Sequence, residues 1–279
     1  GAGKEVAFRS HTLLRRFLRD RLIVDRKDSM RELGASAGVL LRREGYWEEA
    51  LEIFSEVGAY DQAADLLGSV TAQLAVDERW SKMATLVDLL PRPVVVSVPE
   101  LGIRRAHAAV VAGDLRYASQ LLEEVVADPT QSDIARVLPW ALLEKSNVRL
   151  HRGEITEAER LANQAKELLL DSESDPNAIA QAYHSLGVVH AMSRRPGAAK
   201  EYFELALEIC GQHSGMNRHS AKVNNDIGTL AAEQGKASIA KVHFDLAATE
   251  FERAGNDLGR VIAMNNLGYA YHLLAQFDV

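Results

Sequence analysis

A short pattern recurs along the second half of the chain at a spacing that a repeat architecture explains. Gly113-Asp114-Leu115-Arg116-Tyr117-Ala118, Gly153-Glu154-Ile155-Thr156-Glu157-Ala158 and Gly235-Lys236-Ala237-Ser238-Ile239-Ala240 align with one another, and 194–199 is a variant carrying Pro196. The alanines fall at 118, 158, 199 and 240, a period of 40 or 41 residues. Seven residues before each loop position stands another small residue, Ala106, Ser146, Gly187 or Gly228, and Gly268 opens a fifth unit. A unit of this size cannot bury its apolar face alone, so its copies must stack.

Between these anchors the apolar residues keep helical spacing, as in Leu161, Ala165, Leu168 and Leu169, or Phe203, Ala206 and Leu207. Each unit is therefore predicted to be a helical hairpin. A residue without bulk on the first helix is expected to face the alanine on the second, where a larger side chain would cost about 1–3 kcal/mol through overpacking. The loop glycine lets the chain turn through the left-handed region beyond a helix end. Arg194 departs from that rule, and Pro196 restarts the following helix. The separators, among them Asp128-Pro129-Thr130 and the stretches 171–176 and 211–217, are polar and rich in turn formers. With 47% hydrophobic residues but only 6% aromatics, the composition favours helix over sheet. The predicted fold class is all-α, a right-handed superhelix of stacked hairpins with a concave face.

Upstream the hairpins shorten. Arg43-Glu44-Gly45-Tyr46-Trp47 is echoed by Val57-Gly58-Ala59-Tyr60-Asp61, two glycine turns thirteen residues apart, after a helix expected from about 29 to 44. Before that, residues 8–18 form a basic amphipathic segment. The expected division is 1–28 as an N-terminal helix or the end of an arm, 29–95 as short hairpins, and 96–279 as about five repeats. The last is cut one helix short, leaving Leu267, Tyr271 and Leu274 exposed, and the chain is taken as one segment of a longer protein.

Several chemistries are weakened by spacing. The net charge of −7 argues against a broad nucleic-acid surface. A lone Cys210, no long apolar run and no signal-like N-terminus point to the cytoplasm, with no membrane association. Gly1-Ala2-Gly3-Lys4 lacks the upstream glycine and following Ser or Thr of a phosphate loop. Gly34-Ala35-Ser36-Ala37-Gly38 fits G-x-S-x-G, but its flanks are helical where a nucleophile elbow needs a strand. His184 with His190, and His213 with His219, are six apart and lie on different helical faces, so no metal site is expected. Glu48-Glu49 and Glu123-Glu124 are solvated faces. The chain is expected not to be an enzyme.

Met264-Asn265-Asn266-Leu267-Gly268-Tyr269-Ala270-Tyr271 and Leu186-Gly187, each followed by a loop and a small residue in the earlier unit's pattern, resemble tetratricopeptide repeats over roughly 96–279, with a period longer than the usual 34. In such arrays the first helices line the concave groove. That resemblance places Gln181, His184 and Val188, then Lys222, Asn225 and Thr229, then Ile262, Asn265 and Tyr269 in the groove, with Trp140 as an apolar platform. Asn225 and Asn265 could clamp an extended peptide backbone, or bond the adjacent repeat instead.

The longer run also resembles the MalT-type ATP-dependent regulators of the LuxR class, through Arg9, His11, Leu13 and Leu14, the Pro99-Glu100-Leu101 entry and the Ala112-Gly113-Asp114-Leu115 turn. The resemblance implies an effector-sensing superhelix that binds a small molecule, a peptide or a regulatory protein. It assigns ATP to an upstream nucleotide-binding module and DNA to a C-terminal helix-turn-helix, leaving no cofactor and no nucleic acid for the residues here. A tetratricopeptide scaffold and a peptide-pheromone receptor, each holding a partner's extended segment, are the alternatives.

Overall fold

The computed structural model describes residues 27–127, 134–170 and 175–277. The Gly1-Ala2-Gly3-Lys4 run, the segment 8–18 and the Arg9, His11, Leu13 and Leu14 match lie outside them. Among the described residues there are fourteen helices and no strand. Helices α1 (Lys27–Arg43), α2 (Trp47–Glu56), α3 (Tyr60–Val76), α4 (Trp80–Val87) and α5 (Arg92–Ser97) come first. Four hairpins follow: α6 (Pro99–Val111) with α7 (Leu115–Val125), α8 (Ile134–His151) with α9 (Ile155–Leu170), α10 (Pro176–Met192) with α11 (Pro196–Gln212), and α12 (Asn217–Glu233) with α13 (Ala237–Arg253). Helix α14 (Asp257–Phe277) packs on α13. The first helices α6, α8, α10, α12 and α14 also touch one another in succession, which makes them the inner layer of a solenoid. One apolar cluster runs from Ala50 to Val148 and crosses residue 96 without a break.

The hairpin turns share one device. Positions 45, 58, 78, 113, 153, 194, 235 and 255 all have positive φ, from 54° to 89°. In each the next N–H reaches back to the helix, as Asp114 donates to the Ala109 carbonyl at 2.8 Å and Arg79 to that of Leu74 at 2.9 Å. This satisfies carbonyls that a helix end leaves open. Six of the eight positions are glycine; Arg194 and Glu78 hold the same conformation with a side chain attached.

The small residues of the first helices do a different job from the one expected. Ser146 does meet its alanine, donating its hydroxyl to the Ala158 carbonyl at 2.7 Å. At Gly187 and Gly228, however, the missing Cβ leaves room for Phe203 and Phe244, four residues after the alanine, whose ring atoms lie 2.4 Å and 2.6 Å from where a Cβ would sit. The glycines are seats for aromatic rings, and Ala199 and Ala240 fill the core beside them. The same rule accounts for Gly34-Ala35-Ser36-Ala37-Gly38. Val57 occupies the space at Gly34 and Phe54 that at Gly38, while exposed Ser36 bonds the Glu32 carbonyl within α1.

In α14, Tyr271 is exposed, but Leu267 packs against the cluster of Ala231, Ala240, Phe244 and Ala270, and Leu274 is half-buried, which corrects the expectation that all three stand open. No helix among the described residues is long and apolar enough to cross a membrane. Cys210 is buried near Ala180 and Met216, and desolvation, with Glu250 nearby, pushes its thiol up to about 11, so it stays protonated at neutral pH.

Candidate functional site

The inner helices wind far enough that the α3–α4 turn returns to the C-terminal repeats. Glu78, at the tip of that turn, points across the concave face. Its Oε1 lies 3.1 Å from Lys222 Nζ and 3.6 Å from Arg218 Nη2, both on α12, and accepts from Asn256 Nδ2 at 3.4 Å. Asn256 sits in the α13–α14 turn, and its own Oδ1 caps α14 by accepting from the Gly259 N–H at 2.9 Å. Two segments 178 residues apart are thereby clasped.

Under the clasp lies a cavity of about 510 Å³, within the ~300–1,000 Å³ that small-molecule sites occupy. Its walls come from α3, α4, α6, α8, α10 and α12. Val76, Trp80, Ile103, Trp140, Leu143, Leu150 and Val188 make the apolar part. Trp80 packs on His107 with ring centroids 4.4 Å apart, and His107 Nδ1 meets Glu144 Oε2 at 2.9 Å. Glu144 Oε1 accepts from Asn147 at 3.3 Å, so the one carboxylate in the wall is occupied on both oxygens. Arg104 is also committed, donating from Nη1 to the Gly68 carbonyl and Thr71 Oγ1. Burial lowers its pKa against the opposing pull of Glu100.

Three polar atoms in this wall make no hydrogen bond. Arg218 Nε and Nη2 are buried without a hydrogen bond, and so is His184 Nδ1. The other nitrogen of His184, Nε2, lies 2.7 Å from Asp226 Oδ2. His219 stands edge-on to His184 at 5.4 Å, and burial first, then His184, pushes it down to about 3.

Of the groove residues predicted from the repeats, Gln181, His184, Lys222, Val188 and Trp140 do line this cavity. Asn225 and Ile262 line a smaller recess of about 290 Å³ that shares Trp80, His107, His184 and Lys222 with it. Asn225 Oδ1 accepts from Asn266 Nδ2 at 2.9 Å, so its carboxamide ties α12 to α14. Thr229 lies beside a separate recess near Met192 and bonds the Asn225 carbonyl. Asn265 and Tyr269 are exposed on α14 away from these cavities. Sequence reasoning missed Glu78, Trp80, Arg104, His107, Glu144 and Arg218. For Glu78 a signal existed: it stands where six aligned turns carry glycine.

Residues 138–212 match the family model described as tetratricopeptide repeat. The chain has the fold of a tetratricopeptide-like helical solenoid. No curated protein matches the sequence. Among solved structures, it is similar to a tetratricopeptide repeat protein from Parabacteroides merdae, at 14% identity over 92% of this chain and 95% of that one, with a TM-score of 0.57. It is also similar to Bacillus thuringiensis PlcR in complex with the peptide PapR7 and DNA, at 13% identity over 79% and 76%, TM-score 0.57. BtubC from P. vanneervenii aligns at 18% identity over 74% and 85%, TM-score 0.54. At such identities the shared property is the solenoid.

Proposed function

We propose that this solenoid is the effector-sensing module of an ATP-dependent bacterial transcriptional regulator, and that it binds a small molecule in the cavity under the Glu78 clasp. The observation that carries the binding site is the set of buried polar atoms without a hydrogen bond, Arg218 Nε and Nη2 and His184 Nδ1, in the wall of a cavity of about 510 Å³. Buried polar groups are normally satisfied, and a ligand is one way to satisfy them. The regulator context is supported by the resemblance at Arg9, His11, Leu13, Leu14 and 99–101. In this reading the module performs no catalysis, and ATP and DNA are bound by other modules of the regulator. An effector acts by shifting a population between clasped and open forms, to the extent that it binds them differently.

A peptide or protein partner is the second reading, favoured by Asn265 and Tyr269 remaining exposed on the innermost layer. PlcR, whose fold is similar, is seen with a peptide. Thermal-shift measurements with a panel of small organic acids, sugars and nucleosides should give hits that change the emission of Trp80 and Trp140 in the cavity wall. Ser185 also lines the cavity, and Ser185→Trp, which would fill it, should abolish those hits in a folded protein. Hits that survive Ser185→Trp but vanish in Asn265→Ala/Tyr269→Ala would move the site to α14 and favour the second reading.

A further inference from the structure

The charged groups around the cavity specify the ligand more closely than its volume does. Glu78 Oε1 is the shared neighbour of Lys222, Arg218 and Asn256, and at 3.6 Å it forms no hydrogen bond with Arg218. The two nitrogens without a hydrogen bond, Nε and Nη2, form one edge of the guanidinium, the edge that a carboxylate engages through two parallel hydrogen bonds. Arg218 and Glu78 are both largely shielded, with side chains 20% and 13% exposed, so water does not readily replace the missing partner. The other carboxylates nearby are engaged away from Arg218, Glu144 in the cavity wall by His107 and Asn147 and Asp226 in the adjoining recess by His184.

Resting on the cavity reading above, we infer that the ligand is a small organic anion with an apolar, aromatic-sized body, and that its carboxylate displaces Glu78 from Arg218 and Lys222. Trp80 and Trp140 then face the body of the ligand, and the committed Arg104 adds positive field without a free hydrogen bond. Glu78 acts as an internal competitor: its carboxylate stands beside Lys222 and Arg218 on α12, and when an anion binds, the clasp between the α3–α4 turn and Asn256 is released. Its left-handed backbone, with φ of 54°, is the one this turn requires, and it carries a side chain where six such turns have glycine.

The test uses 2-naphthoate and its neutral isostere 2-naphthamide as probes, titrated calorimetrically into the chain and into Glu78→Gln and Arg218→Gln variants shown by circular dichroism to be folded. The expected result is naphthoate binding about tenfold or more tighter than naphthamide, strengthened about fivefold or more by Glu78→Gln and lost in Arg218→Gln. Lys222→Met provides a second variant should Arg218→Gln not fold, and should weaken naphthoate alone. Equal binding of the two probes, cancelled by Ser185→Trp, would overturn the anion inference while the cavity reading stands. Naphthoate binding that Glu78→Gln leaves unchanged would overturn the competition. Absence of binding by either probe to the parent and to Glu78→Gln would overturn the inference, with the cavity reading then judged by the wider panel.

Discussion

Glu78 holds a backbone conformation that six equivalent turns give to glycine, and for a residue with a Cβ that conformation costs about 1–2 kcal/mol. Glu78→Gly removes both the strain and the clasp, whereas Glu78→Ala removes the clasp alone. The glycine variant is expected to be more stable than the alanine variant by about 1 kcal/mol, measured as a difference in urea-unfolding free energy; equal values would show that the turn stores no strain. His219 sets a second residue-level expectation. Burial holds it down to about 3 in the folded protein, against 6.5 for a free imidazole. Between those values the unfolded chain binds more protons, so stability falls as pH drops from 6.5 toward 3 and is level above that window as far as this group is concerned. Burial also lowers His190 and His243, which act in the same direction. Urea midpoints should therefore be lower at acidic pH than at neutral pH, and His219→Gln should flatten the difference.

At the level of the element, the glycines of the inner helices divide into filled and empty seats. Gly228→Ala would bring a Cβ to 2.6 Å from the Phe244 ring and is expected to cost about 1–3 kcal/mol. Phe244→Leu should recover part of that loss in a double-mutant cycle. At Gly268 nothing lies within 4 Å of where a Cβ would sit, so Gly268→Ala should instead gain about 0.5–1 kcal/mol from helix propensity. The contrast shows what the sequence could and could not convey. The period of 40 or 41 residues and the helical spacing made the hairpins legible, because both are set by local geometry. Which side chain enters the gap at Gly187 or Gly228 depends on how two helices cross, and the small-facing-small expectation therefore missed Phe203 and Phe244. Gln181, His184 and Lys222, read as groove positions from the register of the first helices, and Trp140, read as an apolar platform, lie on the cavity wall. That register could not foresee that Asn225 spends its carboxamide oxygen on Asn266, one repeat away.

For the whole molecule, the decisive unknown in the sequence was the winding of the solenoid. Nothing local relates Glu78 to Asn256, 178 residues on, and only the accumulated rotation of the intervening hairpins brings them together. If the clasp sets the curvature, Glu78→Gln should increase the radius of gyration measured by small-angle X-ray scattering without loss of helical signal; an unchanged value would mean that hairpin packing alone fixes the shape. Repeat proteins are ordinarily near-one-dimensional, each unit sensing only its neighbours, so that melting starts at either end and spreads inward. Here the link from 78 to 256 makes early and late units neighbours of each other. Such a ring should open as one cooperative unit in hydrogen exchange, and severing it should return the molecule to a ribbon whose two ends fray independently.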